Sequence, residues 1–145
     1  MMRSLLALAV ALPIISAAQD LPQPSPRDQV EQVVGLTNVK VDYSRPSAKG
    51  RKIFGDLVPF GQLWRTGANM CTTIELSGPV VVSGKSVAKG KYSLFTIPNE
   101  KEWTVILNSD TTLGGTEGYD EAKDVARFVI PVVAAEWTET FTIDA

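Results

Sequence analysis

The 145-residue chain is 44% hydrophobic and 21% charged, a composition and length that suit one domain with its own core. Its 14 basic and 16 acidic residues are interspersed and leave a formal charge of −2, which speaks against nucleic acid or an anionic membrane as a partner. It has no histidine and a single cysteine, Cys71. These absences exclude serine–histidine and cysteine–histidine nucleophiles, histidine-ligated zinc or copper, and an intramolecular disulfide.

Met1, Met2, Arg3 and Ser4 are followed by an apolar run over 5–15 and by the small residues Ser16, Ala17 and Ala18. A positive start, a short apolar stretch and small residues at the cut define a secretory signal peptide over 1–18, with cleavage expected after Ala18. The run falls short of the roughly 20 residues of a spanning helix and is broken by Pro13, so no integral membrane segment is expected after cleavage. The exported product would be periplasmic or extracellular, and loss of Arg3 takes its formal charge from −2 to −3.

Residues 19–29 hold Pro22, Pro24 and Pro26 and read as an extended leader, with a single β domain expected over 30–145. Val30 and Val34 fit either a strand with Gly35 as a bulge or a short helix capped by Ser25; the strand is preferred. Val39, Val41 and Tyr43 alternate with Lys40, Asp42 and Ser44, the period of two of a half-buried strand over 36–44.

A long mixed segment occupies 45–69. Its apolar groups, Ile53, Phe54, Leu57, Val58, Phe60, Leu63 and Trp64, suit a cap over one end of a sheet. Loops longer than about 12–15 residues in compact domains tend to carry function. From Thr72 onward strand signals recur at 72–76, 80–83, 91–97, 103–108, 125–133 and 137–143, separated by turn sequences such as Ser77-Gly78-Pro79 and Ser83-Gly84-Lys85. One helical turn is expected near 120–125, and the Gly/Thr-rich stretch 108–118 reads as a surface loop with some capacity to cover a site. Short strands at close spacing without helical patterns between them predict a mostly β fold, an antiparallel β-sandwich or partly open β-barrel with one long loop segment.

Arg45, Lys49, Arg51, Lys52 and Arg65 lie in or beside that segment. Guanidinium groups match carboxylate or phosphate oxygens in pairs, whereas the plain structural alternative pairs these cations with Asp42 and Asp56 or leaves them in water. In Trp64-Arg65-Thr66-Gly67-Ala68-Asn69 an indole face adjoins cationic, hydroxyl and amide groups, as a sugar site requires. Equally, Trp64 could fill the core and Asn69 cap a turn. A glycosidase needs two carboxyl groups roughly 5–10 Å apart, and the spacing of Asp56, Asp120, Glu121 and Asp124 singles out no such pair. Asn108, Asp110 and Thr112 offer oxygen ligands but lack the glycine and terminal glutamate of a calcium loop, so no metal and no cofactor is expected. Cys71 reads as a small buried apolar residue. Tyr92 is expected to bond its hydroxyl back to a loop, like the corner tyrosine of sandwich domains.

Three sets of residues, taken in order, resemble one family. They are Tyr43-Ser44-Arg45-Pro46-Ser47 with Lys49-Gly50-Arg51; Ile53-Phe54-Gly55 through Trp64-Arg65-Thr66-Gly67-Ala68-Asn69; and Tyr92-Ser93-Leu94-Phe95-Thr96-Ile97-Pro98 with Trp103-Thr104-Val105-Ile106. The family is the exported bacterial one known as domain of unknown function 2911, and the resemblance covers roughly 22–143. It implies export and a β-rich domain, and carries over no reaction, substrate or catalytic residue. Where relatives commonly show a tryptophan-glycine pair, this chain has Leu113-Gly114-Gly115, so a ligand role for that tryptophan does not transfer. Relatives also usually continue beyond Phe141-Thr142-Ile143 into further strand-like sequence, so either those final strands are dispensable or the sheet keeps an unpaired edge open to a partner strand.

The leading expectation is an exported binding module in which Arg45, Arg51, Trp64, Arg65 and Asn69 contact a small polar or anionic ligand, a glycan among the candidates. The alternatives are a cell-envelope hydrolase working through carboxylates such as Asp56 and Asp120, and an assembly protein that self-associates through a sheet edge.

Overall fold

The computed structural model describes residues 21–144; the signal peptide expected over 1–18 lies outside the described residues. Eight strands follow one another: β1 (Arg27–Val34), β2 (Thr37–Ser44), β3 (Thr72–Leu76), β4 (Val80–Val82), β5 (Lys85–Val87), β6 (Gly90–Ile97), β7 (Glu102–Asn108) and β8 (Asp124–Pro131). Six of them form one antiparallel sheet in the order β1-β2-β3-β6-β7-β8, and β4 and β5 pair as a separate hairpin. The protein is thus mostly β and antiparallel. Its main sheet stays open rather than closing into a barrel, with β1 and β8 as its edges.

The period of two read from the sequence sorts side chains onto the two faces. Val41 of β2 sits opposite Ile74, which sits opposite Tyr92, while Leu94 pairs with Leu107 and Leu107 with Ala126. On this first face Leu76, Val87, Tyr92, Leu107 and Ala126 make one core, into which the β4–β5 hairpin sends Val80 and Val87. On the second face Phe95 and Ile106 pack with Cys71 under Leu63, Leu113 and Tyr119, which come from loops. Side chains of one strand alternate between the faces, so neighbours such as Leu94 and Phe95 serve different cores.

Several local expectations are met. The Tyr92 hydroxyl donates to the Ala88 carbonyl at 2.9 Å. Cys71 is buried, and burial pushes its thiol pKa up against the opposing pull of Arg65. A single 3₁₀ turn spans Glu121–Lys123, with the Asp120 carboxylate accepting from the Ala122 amide.

Three details differ from the sequence reading. Strand β1 opens at Arg27, inside the stretch expected as leader, because pairing of Arg27 with Ser44 starts the ladder three residues before Val30. Lys85–Val87 is a strand of its own, since the Ser83-Gly84 turn, with φ of 47° and 75°, folds it back on Val80–Val82. No strand forms over 137–143. There only Thr140 makes a bridge, to Ser47, because the segment lies across the 45–48 loop instead of joining the sheet.

Candidate functional site

The first face of the sheet is covered at one end by the β4–β5 hairpin. Towards the other end the long loop and the C-terminal tail enclose a cavity of about 820 Å³, within the range of small-molecule sites. The position of Trp64 follows from where β3 starts. β3 pairs with β6 only up to Leu94, and Trp64 occupies the lane beyond, exchanging backbone hydrogen bonds of 2.7 and 2.9 Å with Thr96. Thr96 faces Val105, and Trp103 stands two residues along β7, so the pleat puts both tryptophans on the same face.

Around them the rings meet edge to face. Phe54 approaches Trp103 at 4.8 Å and Trp64 at 5.8 Å, the two indoles are 6.1 Å apart, and Phe141 lies 5.2 Å from Trp64. Phe54 is held by a tight loop in which the Gly55 amide donates to Val58 and the Val58 amide to Ile53. Gly55 has φ of 83°, and a Cβ there would meet the Phe60 ring at 2.8 Å. Phe141 arrives on the tail. Its amide donates to Pro46, and the Glu139 carbonyl accepts from Ala48.

The expected site residues divide. Arg51, Trp64 and Arg65 all line the cavity. Arg51 donates from Nε to the Ala48 carbonyl at 2.9 Å and from Nη2 to the Ser47 carbonyl at 2.8 Å. Arg65 makes one long contact, from Nη1 to the Gly114 carbonyl at 3.4 Å. Neither guanidinium meets a carboxylate among the described residues. Arg45 and Asn69 are not brought to the cavity. Arg45 pairs with Asp28 at 3.1 Å and donates to the Phe141 carbonyl and the Thr142 hydroxyl, so it pins the tail. Asn69 donates to the Ser25 carbonyl at 3.2 Å.

Trp103, Phe141 and Glu139 were missed as site residues. The alternation of β7 puts Trp103 on the covered face and offered a signal. Phe141 and Glu139 reach the site by a fold-back of some ninety positions along the chain, which no local pattern reports. Glu139 is the one carboxylate lining the cavity among the described residues, and its Oε1 accepts from the Lys49 amide at 2.7 Å. The other acidic groups lie elsewhere. Asp124 accepts from Asn108, Tyr119 and Arg127, and burial followed by the bond to Asp124 pushes the Tyr119 hydroxyl up to about 12. Asp110 is bound by Lys123 and Thr112, which hold its carboxyl down at about 2. Asn108 Oδ1 likewise accepts from the Asp110 amide at 2.9 Å, so the three oxygens weighed for calcium serve the loop. Among the described residues no group of three or more metal-ligating side chains gathers, and no helix is long and apolar enough to cross a membrane.

Fold and site together define an antiparallel β protein with a ring-walled, arginine-bearing hollow on one sheet face. The chain belongs to the family described as protein of unknown function (DUF2911), whose sequence model matches residues 25–145. No curated protein and no solved structure matches it.

Proposed function

We propose that this is an exported binding module, periplasmic or extracellular, that holds a small polar or anionic ligand, a glycan among the candidates, in the cavity lined by Arg51, Trp64 and Arg65. The observation that carries the reading is the presence of two guanidinium groups without carboxylate partners beside aromatic walls in one hollow. A charge-assisted bond from arginine is worth about 1.5–3 kcal/mol, so Arg65→Ala should weaken binding by about tenfold or more. Calorimetric titration of the purified protein with acidic oligosaccharides and small organic acids tests this. Equal affinity of wild type and Arg65→Ala for a bound probe would remove Arg65 from the site.

Carboxylate hydrolysis is less well supported, because Glu139 has no acidic partner among the described cavity residues and Asp56 and Asp120 do not line it. Self-association has an observation of its own. Among the described residues neither sheet edge pairs with a further strand, and each carries exposed apolar side chains, Val33 and Val34 on β1 and Val125 and Val129 on β8. Light scattering over a range of concentrations tests that reading, and a strict monomer counts against it.

A further inference from the structure

We infer that the cavity selects an amphipathic monocarboxylate, a flat or branched apolar body ending in one carboxylate, in preference to a sugar. This rests on the binding reading above and narrows its ligand class.

The lining offers a sugar only part of what it needs: the Ser25, Thr116 and Thr138 hydroxyls are open, but no amide accompanies them. Hydroxyl-rich ligands are gripped by side chains that both donate and accept, amides above all. Among the described residues no Asn or Gln lines the cavity, and the Asn69 amide is spent on the Ser25 carbonyl. The Trp64 indole N–H donates to the Gly67 carbonyl at 3.2 Å. Ser47 bonds the Thr140 hydroxyl, and Thr142 donates to the Thr140 carbonyl while accepting from Arg45. One oxygen of Glu139 already accepts from the Lys49 amide. The rings are turned edge to face against one another, which builds an apolar wall rather than a single open indole platform for a pyranose.

Two charged donor sets remain. Arg51 has Nε and one N–H of Nη2 fixed by main-chain carbonyls, which orients the fork and leaves Nη1 without a described partner. Arg65 is held only by the long contact to Gly114, leaving Nε and Nη2. Guanidinium groups donate and never accept, so they complement an acceptor-only head group, and the planar fork fits a carboxylate in pairs. Charge sets its valence. The two arginines against Glu139 leave one positive charge among the lining residues, suited to a carboxylate rather than a doubly charged phosphate. Ile53 and Leu57 continue the apolar lining beyond the rings, and removing an apolar body from water against them supplies the rest of the affinity.

Calorimetry with three probes separates the outcomes: naphthoate, the naphthyl alcohol of the same shape without charge, and a trigalacturonate. Naphthoate is expected to bind saturably and about tenfold or more tighter than the alcohol. Arg65→Gln should reduce naphthoate affinity towards that of the alcohol while leaving alcohol binding and the melting temperature unchanged; Arg51→Gln should reduce naphthoate affinity likewise and also lower the melting temperature, because its bonds to Ser47 and Ala48 are lost. Asn69→Ala should leave every affinity unchanged. Equal binding of acid and alcohol overturns the inference, since the cavity would then read shape alone. Binding of trigalacturonate without naphthoate also overturns it but leaves the polar-ligand reading standing, whereas failure of all three probes sinks both.

Discussion

At Gly67 the backbone takes φ of 149°, and a Cβ built there would come within 3.0 Å of the Ser44 carbonyl and 3.2 Å of the Thr72 hydroxyl. Its carbonyl receives the Trp64 indole N–H, so a position with no side chain fixes the orientation of a cavity wall. Thr66 beside it also has positive φ, 55°, and is tied down by its carbonyl to Thr72 at 2.6 Å and its hydroxyl to Thr96 at 3.0 Å. Gly67→Ala is expected to cost about 1–3 kcal/mol through backbone strain and crowding, read from urea unfolding, and to shift tryptophan emission. An unchanged midpoint would show that the turn adapts. A second residue-scale effect is set by pH. The Lys123 hydrogen bond, then those of Thr112, hold the Asp110 carboxyl below its ordinary 3.8, at about 2. Because the folded value is the lower one, the stabilisation is present above pH 3.8 and fades as pH falls towards 2. Lys123→Met should make stability fall less steeply across that window, and identical slopes in the two proteins would exclude the pair as a contributor.

The tail over 138–143 is an element without regular structure, held by main-chain bonds and one ring. Phe141 packs against Tyr43 at 5.8 Å and Trp64 at 5.2 Å, Ile143 exchanges hydrogen bonds with the Tyr43 hydroxyl, and Arg45 reaches across from the loop. Residues 131–139 before it are exposed throughout, so few apolar contacts oppose its lifting. Deleting a fully buried Phe side chain costs about 3–5 kcal/mol, and half-buried Phe141 should lose about 1–2 kcal/mol on Phe141→Ala. Amide exchange at Ala48 and Phe141 should quicken together, while that of β6 and β7 keeps its rate. Unchanged exchange at Ala48 would mean that the loop holds without the tail.

Across the whole molecule, two faces of one sheet do different work. The second face is sealed by loops, with Phe95 and Ile106 fully buried. The first face is sealed at one end by a hairpin and hollow towards the other. Among the described residues no further strand pairs with either rim of the sheet, although Lys85 donates to the Arg127 carbonyl of β8, and Val129 on β8 is 51% exposed while Val33 on β1 is 67% exposed. If copies pair through β8, Val129→Lys should lower the scattering mass at high concentration, because an edge lysine resists strand addition. No change with concentration in the unaltered protein would remove edge pairing from consideration.

What the sequence determined by itself was the class of structure. The alternation of Val39, Val41 and Tyr43 and the turn residues between later strands follow from backbone geometry that acts over a few residues, which is why seven of the eight strands were legible. The equally short β5 was not, because Lys85-Ser86-Val87 holds a single apolar residue where β4 is all valine, and its pairing depends on the turn before it. At the site, the clustering of Arg51, Trp64 and Arg65 within one loop segment was also legible, since neighbours in sequence need little folding to meet. The tertiary structure alone decided that Arg45 and Asn69 turn to other partners, that Trp103 faces the hollow, and that Phe141 and Glu139 close it. Those outcomes depend on pairing between distant segments, Trp64 with Thr96 and Ser47 with Thr140, and long-range pairing leaves no periodicity in the chain for a local reading to find.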